Sequence, residues 1–139
     1  MANRNLMTLR SFDEKDPSLV NVIVEAPHGS RIKFKYDPKL DVFAVSYVLP
    51  RFAAFPFDYG FVPSTLAEDG DPIDIMVLMD APSSVGCTLL ARPIGVIEAN
   101  QTQEGKTFRN DRLIGAATAS ADYARLRSFD ELAPHSLDA

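Results

Sequence analysis

Short apolar runs cut by Pro, Gly and Asp clusters recur along the chain, and helix formers gather only near its end. Val20, Val22, Ile23 and Val24 make Leu19 to Glu25 a β-branched strand that stops at Ala26-Pro27-His28-Gly29. Arg31 to Tyr36 alternates strictly, with Arg31, Lys33 and Lys35 on one face and Ile32, Phe34 and Tyr36 on the other. Asp37-Pro38-Lys39 turns the chain back, and Asp41 to Leu49 returns as the second strand of a hairpin. Pro50 to Pro63, rich in Phe, predicts an ordered connection with a short strand at Tyr59-Gly60-Phe61. Ile75 to Met79 reads as a buried strand. Cys87 to Ala99 reads as one long strand broken at Arg92-Pro93, where a proline implies an edge or a bulge. Asn100 to Lys106 is expected to be a polar hairpin loop and Thr107 to Ala116 the last strand, followed by a helical turn or two from Thr118 and the start of another helix at 134–139. Residues 1–18 read as a loosely packed arm on a single domain spanning 1–139. The sum is a mainly β (α+β) domain, a small antiparallel barrel with little helix.

One turn carries unusual charge. Asp69, Asp71 and Asp74 crowd the bend before the Ile75 strand, where Gly70 accepts positive φ and Pro72 pushes Asp71 toward extended geometry. Carboxylates this close repel one another, and the usual offset is a hard divalent cation with oxygen ligands. The same residues also suit a plain solvated turn, so spacing alone leaves both readings open. An EF-hand is excluded, because an apolar strand stands where that loop's later ligands belong.

Composition narrows the classes. The 139 residues suffice for one domain with a core, and 46% hydrophobic with 24% charged residues is ordinary globular usage. A net charge of −5 opposes a general nucleic-acid binder. Cys87, the one cysteine, cannot form an intrachain disulfide and suits a reducing compartment. Met1 to Arg10 lacks the apolar core of a signal peptide, and no run approaches membrane-spanning length, so a cytoplasmic protein without membrane partners is expected.

Taken together, Val24-Glu25-Ala26-Pro27, Lys33-Phe34, Tyr59-Gly60-Phe61, Asp69-Gly70-Asp71-Pro72-Ile73-Asp74 and Arg92-Pro93-Ile94-Gly95-Val96 resemble the soluble family I inorganic pyrophosphatases, from about Val20 to Ala116. The resemblance implies a five-stranded, OB-like barrel, a homo-oligomer, and Mg²⁺-dependent hydrolysis of diphosphate or a related phosphoanhydride. Position by position, Asp69 and Asp74 look like Mg²⁺ ligands, and Asp71 like a further metal-site carboxylate that helps deprotonate the attacking water. Lys33 and Tyr59 resemble phosphate contacts and Glu25 a carboxylate at the rim, while Arg112 stands where the family usually has a phosphate-binding Lys.

The chain also departs from the family pattern. Lys35 replaces an acidic residue, and Tyr47 falls where a phosphate-binding Arg is usual, with Arg51 a nearby substitute. Two later Asp ligands fall on or near Gln101 and Asn110, with Glu104 and Asp111 as displaced candidates. The family's long C-terminal helix would begin about where the chain stops, which implies the absence of a Tyr-Lys pair beyond it. Two functions are therefore expected to compete: an inorganic diphosphatase, or a catalytically degenerate barrel that binds a phosphate ligand or a partner.

Overall fold

The computed structural model describes residues 5–131. Five strands close into a barrel: β1 (Val20–Ala26), β4 (Asp58–Val62), β5 (Ile73–Leu78), β9 (Arg112–Ala117) and β6 (Thr88–Ile97), in that order around the ring. Two hairpins stand outside it, β2 (Ile32–Asp37) with β3 (Val42–Val48), and β7 (Asn100–Gln103) with β8 (Lys106–Arg109). The barrel is not wholly antiparallel, because β5 and β9 run parallel. Parity requires this: strand directions cannot alternate all the way around a closed ring of five, so at least one neighbouring pair must run the same way.

Period-two alternation sorts the core into layers. Val20, Val22, Val62, Ile75, Val77, Ala91 and Ala117 form the cluster inside the barrel. The opposite faces of the same strands are covered from outside. Ile23 and Phe61 meet Leu6 and Tyr36 under the β2–β3 hairpin and the N-terminal arm, and Leu78, Ile94, Ile114 and Ala116 meet Phe57, just before β4, and Tyr123 and Leu126 from the turns after β9. Covering both sides is what makes β1 almost continuously buried.

The arm is held more closely than its polar composition predicts. Leu6 is buried, its amide donates to the Tyr36 hydroxyl (3.1 Å), and that hydroxyl donates to Asp41 Oδ1 (2.7 Å). β6 runs through Arg92-Pro93 as one strand, its register against β9 slipping between Pro93 and Gly95 where the proline has no amide to give. The expected loop at 100–106 is instead largely strand, a hairpin closing on Glu104-Gly105 with φ of 51° and 78°. Two consecutive left-handed residues make the tight turn that suits hairpin twist. The expected strand at 107–116 is accordingly two strands, interrupted at Asn110-Asp111. After β9 the chain makes hydrogen-bonded turns, among them Ala124 N to Ser120 O at 2.7 Å, and a short 3-10 turn at Phe129–Glu131. Residues 134–139, where another helix is predicted to start, lie outside the described residues.

Asp58 pins three segments together. It is buried, accepts from the His28 and Ser83 amides (both 2.9 Å) and from the Ser83 hydroxyl, and so ties β4 to the turn after β1 and to the 81–86 loop. Nothing in its sequence surroundings marks it for that role.

Candidate active site

The acidic turn is built locally. Gly70 takes φ of 90°, its amide donates to Ala67 O (3.0 Å), and Ala67 N donates to Asp71 O (2.7 Å). Asp69 Oδ1 accepts the Asp71 amide at 3.0 Å, the side-chain turn that Asp favours. Thr65 closes the other side, its hydroxyl donating to Val62 O (2.6 Å) and accepting from Ile73 N (2.9 Å). The bend is thereby fixed where the chain enters β5, and β5 carries Asp74 at its second position.

A cavity of about 810 Å³ opens between this turn, the barrel mouth and the β2–β3 hairpin. Seven residues given site roles by the family resemblance line it: Glu25 from β1, Lys33 from β2, Tyr59 from β4, Asp69 and Asp71 from the turn, Asp74 from β5 and Arg112 from β9. Lys35 and Tyr47, both departures from the family pattern, line it too, as does the buried Asn110. Four carboxylates thus face three cationic side chains across one space.

The other candidates are elsewhere. Arg51 is exposed and outside the lining, and Glu104 sits at the tip of the second hairpin. Asp111 also points away: its carboxylate accepts from Arg109 Nη2 (2.9 Å) and from the Ala99 amide (3.1 Å), which hold its pKa below the ordinary carboxylate value. The basic stripe of β2 divides as well, since Arg31 Nη2 donates to Leu49 O at the hairpin base while Lys33 and Lys35 reach the cavity.

Electrostatics set the members apart. Burial raises the Asp74 carboxyl pKa, Lys33 and Arg112 oppose the rise, and Asp69 and Asp71 add to it. Burial likewise raises the Tyr59 phenol, against the pull of Arg112; the ring is braced by Phe55, edge-on with centroids 5.0 Å apart. Glu25 is 7% exposed, and it forms an ion pair with Lys33 Nζ at 3.4 Å. Its pKa is raised by burial, with Lys33 pulling down and Asp74 pushing up.

That shift carries a stability consequence. The unfolded chain ionises this carboxyl at a lower pH than the folded chain, so its charge costs stability above the ordinary carboxylate pKa and none below it. Glu25→Gln is expected to raise Tm at pH 7, with the gain disappearing below about pH 4. Thermal unfolding at the two pH values checks this, and a variant no more stable than wild type at pH 7 would mean that the Lys33 pair outweighs burial.

The donor set suits a hard cation, since Asp69, Asp71, Asp74 and Glu25 offer only carboxylate oxygens to the same cavity. They do not converge as they stand: among the described residues no three His, Cys, Asp or Glu side chains are grouped closely enough to hold a metal ion. The fit is one of chemistry and shared location, and closing it requires side-chain rotation about a fixed turn.

Comparison with known proteins agrees with this architecture. A family model described as inorganic pyrophosphatase matches residues 22–139. An inorganic pyrophosphatase of Nostoc is 39% identical over 122 residues, covering 88% of this chain and 70% of the relative. One from Synechocystis is 40% identical over 120 residues, covering 86% and 69%. Among solved structures, the inorganic pyrophosphatase of Thermus thermophilus superposes with a TM-score of 0.82 at 33% identity, covering 93% of this chain and 71% of that one. The Neisseria gonorrhoeae enzyme gives 0.80 at 27%, covering 92% and 72%. By sequence and by fold, the chain belongs to the soluble family I inorganic pyrophosphatases.

Proposed function

We propose that this protein is an inorganic diphosphatase, adding water across the phosphoanhydride bond of diphosphate to give two phosphates, with Mg²⁺ as its metal. The observation that supports this most is the meeting of Lys33, Tyr59 and Arg112, from three separate strands, with the acidic turn around one cavity. Asp69, Asp71 and Asp74 would hold the ion. When bound, it would supply Lewis acidity, lowering the pKa of a coordinated water and offsetting phosphate charge. Asp71, the most accessible of the three, takes the proton of the attacking water. Lys33 and Arg112 neutralise charge on the phosphate that leaves as the bridging P–O bond breaks, and the Tyr59 hydroxyl donates to a phosphate oxygen. Glu25 holds the Lys33 ammonium in place at the rim.

A second reading keeps the barrel and drops the turnover, leaving a module that binds a phosphate ligand. What favours it is that the carboxylates do not converge and that Asp111 is committed to Arg109. Phosphate release from diphosphate, measured with Mg²⁺ and again with chelator, separates the two. Mg²⁺-dependent release lost in Asp71→Asn supports the enzyme; none above that variant leaves the binding module.

Homo-oligomer formation belongs to the same proposal. β3 presents Val42, Val45, Tyr47 and Val48 to solvent, and Phe52 beyond it is 98% exposed. Monomers seldom leave such a row of apolar side chains uncovered. Sedimentation velocity should report more than one chain per particle, and a monomer throughout the micromolar range would count against it. The cytoplasmic location expected from the sequence is also a proposal and is read by cell fractionation; among the described residues no helix is long and apolar enough to cross a membrane.

A further inference from the structure

The β2 face sends two ammonium groups into the cavity, two residues apart, and each meets a carboxylate from a different element. Lys33 meets Glu25 at 3.4 Å, and Lys35 Nζ lies 4.0 Å from Asp71 Oδ2. The two pairs are not alike. The Lys33 pair is largely covered, which fixes it. The side chains of Lys35 and Asp71 are 66% and 57% exposed, and the lysine swings on a four-carbon stem, so this pair is free to exchange partners. Asp71 is also the carboxylate placed at the attacking water in the proposed reaction, and one carboxylate cannot give its full charge to an ammonium and to a divalent ion at once.

We propose that Lys35 is a tethered counter-cation that competes with the divalent ion for Asp71 and, once displaced, binds a phosphate oxygen of the substrate; this rests on the diphosphatase reading above. Without metal, the ammonium offsets Asp71 and lessens the repulsion at the acidic turn. With metal, Asp71 turns to the ion and the ammonium is left beside the entering polyanion, adding a third cation to Lys33 and Arg112. Lys35 is thus a residue that sets metal affinity and substrate affinity in opposite directions.

Two calorimetric titrations test this without reference to turnover. Mg²⁺ is titrated into the metal-free protein, and methylenediphosphonate, which has no hydrolysable bridge, into the Mg²⁺-loaded protein. Lys35→Gln should bind Mg²⁺ about two- to fivefold more tightly than wild type, the range an exposed ion pair commands. The same variant should bind methylenediphosphonate about tenfold more weakly. Lys35→Arg should retain both wild-type values, as should Lys39→Gln, which removes the same charge from an exposed position outside the cavity lining. If wild type takes up Mg²⁺ and Lys35→Gln takes it up no more tightly, the competition is overturned while the diphosphatase reading stands. Wild type that takes up no Mg²⁺ overturns both.

Discussion

Asp71→Asn is expected to slow diphosphate hydrolysis by about 10²–10⁴-fold, the usual contribution of a positioned general base, without loss of fold. An amide has the size of the carboxylate but cannot take a proton from water. The fold should tolerate it because the side chain is 57% exposed and it pairs with the solvated Lys35 ammonium. The Asp71 amide and carbonyl, which brace the turn through Asp69 and Ala67, are untouched by the change. Surface substitutions of this kind shift stability by about 0.5 kcal/mol or less. Steady-state phosphate release with thermal unfolding as the control reads both quantities. Full activity in the variant would remove Asp71 from the proton-transfer role, whereas lost activity with a Tm well below wild type would point to a structural role for its carboxylate.

Gly60→Ala is expected to cost about 3 kcal/mol or more and to lower the unfolding midpoint far below that of wild type. Gly60 lies in β4, paired with Val24 of β1 on one side and Ile75 of β5 on the other. A Cβ there would land on the Ile23 carbonyl oxygen and come 2.9 Å from Val22 Cγ1. Both belong to the most buried strand of the barrel, and a backbone carbonyl engaged in a closed ring cannot move aside as a side-chain tip can. Against a total stability of about 5–15 kcal/mol, a loss of that size removes a large share. Gly29→Ala is the informative contrast. Its φ of +88° is strained for alanine, but no atom lies within 4 Å of the added carbon, so the cost is about 1–2 kcal/mol. Denaturant unfolding of the two variants should rank them clearly. A Gly60→Ala protein as stable as wild type would mean that β1 and β4 can separate without penalty.

Much of the candidate site's placement is legible in the sequence, because its central piece is local. The pattern Asp69-Gly70-Asp71-Pro72 dictates its own backbone through a glycine at positive φ and a proline that restricts its neighbour, and the structure bends there with those residues in those roles. The alternation of β2 placed Lys33 and Lys35 on one face, and both reach the cavity. Less legible was any choice among residues whose surroundings come from distant chain. Asp111 looked as able as Asn110 to face the site, yet Arg109, two residues away, captures it and only Asn110 reaches the lining. The first strand of the second hairpin reads as loop because Asn100 to Lys106 is polar throughout, which leaves no apolar alternation to read. Asp58 escaped notice because its partners lie 25 and 30 residues away.

By itself the sequence determined the barrel strands, most of their turns, the acidic bend and the family, since each is written in neighbouring residues through φ preference and side-chain period. The tertiary structure alone decided the parallel β5–β9 pair that closes the ring, the burial that raises the Glu25 and Asp74 pKa values, and the meeting of Lys35 with Asp71. These depend on how distant strands are registered, and a one-residue slip in register turns a side chain from cavity to solvent.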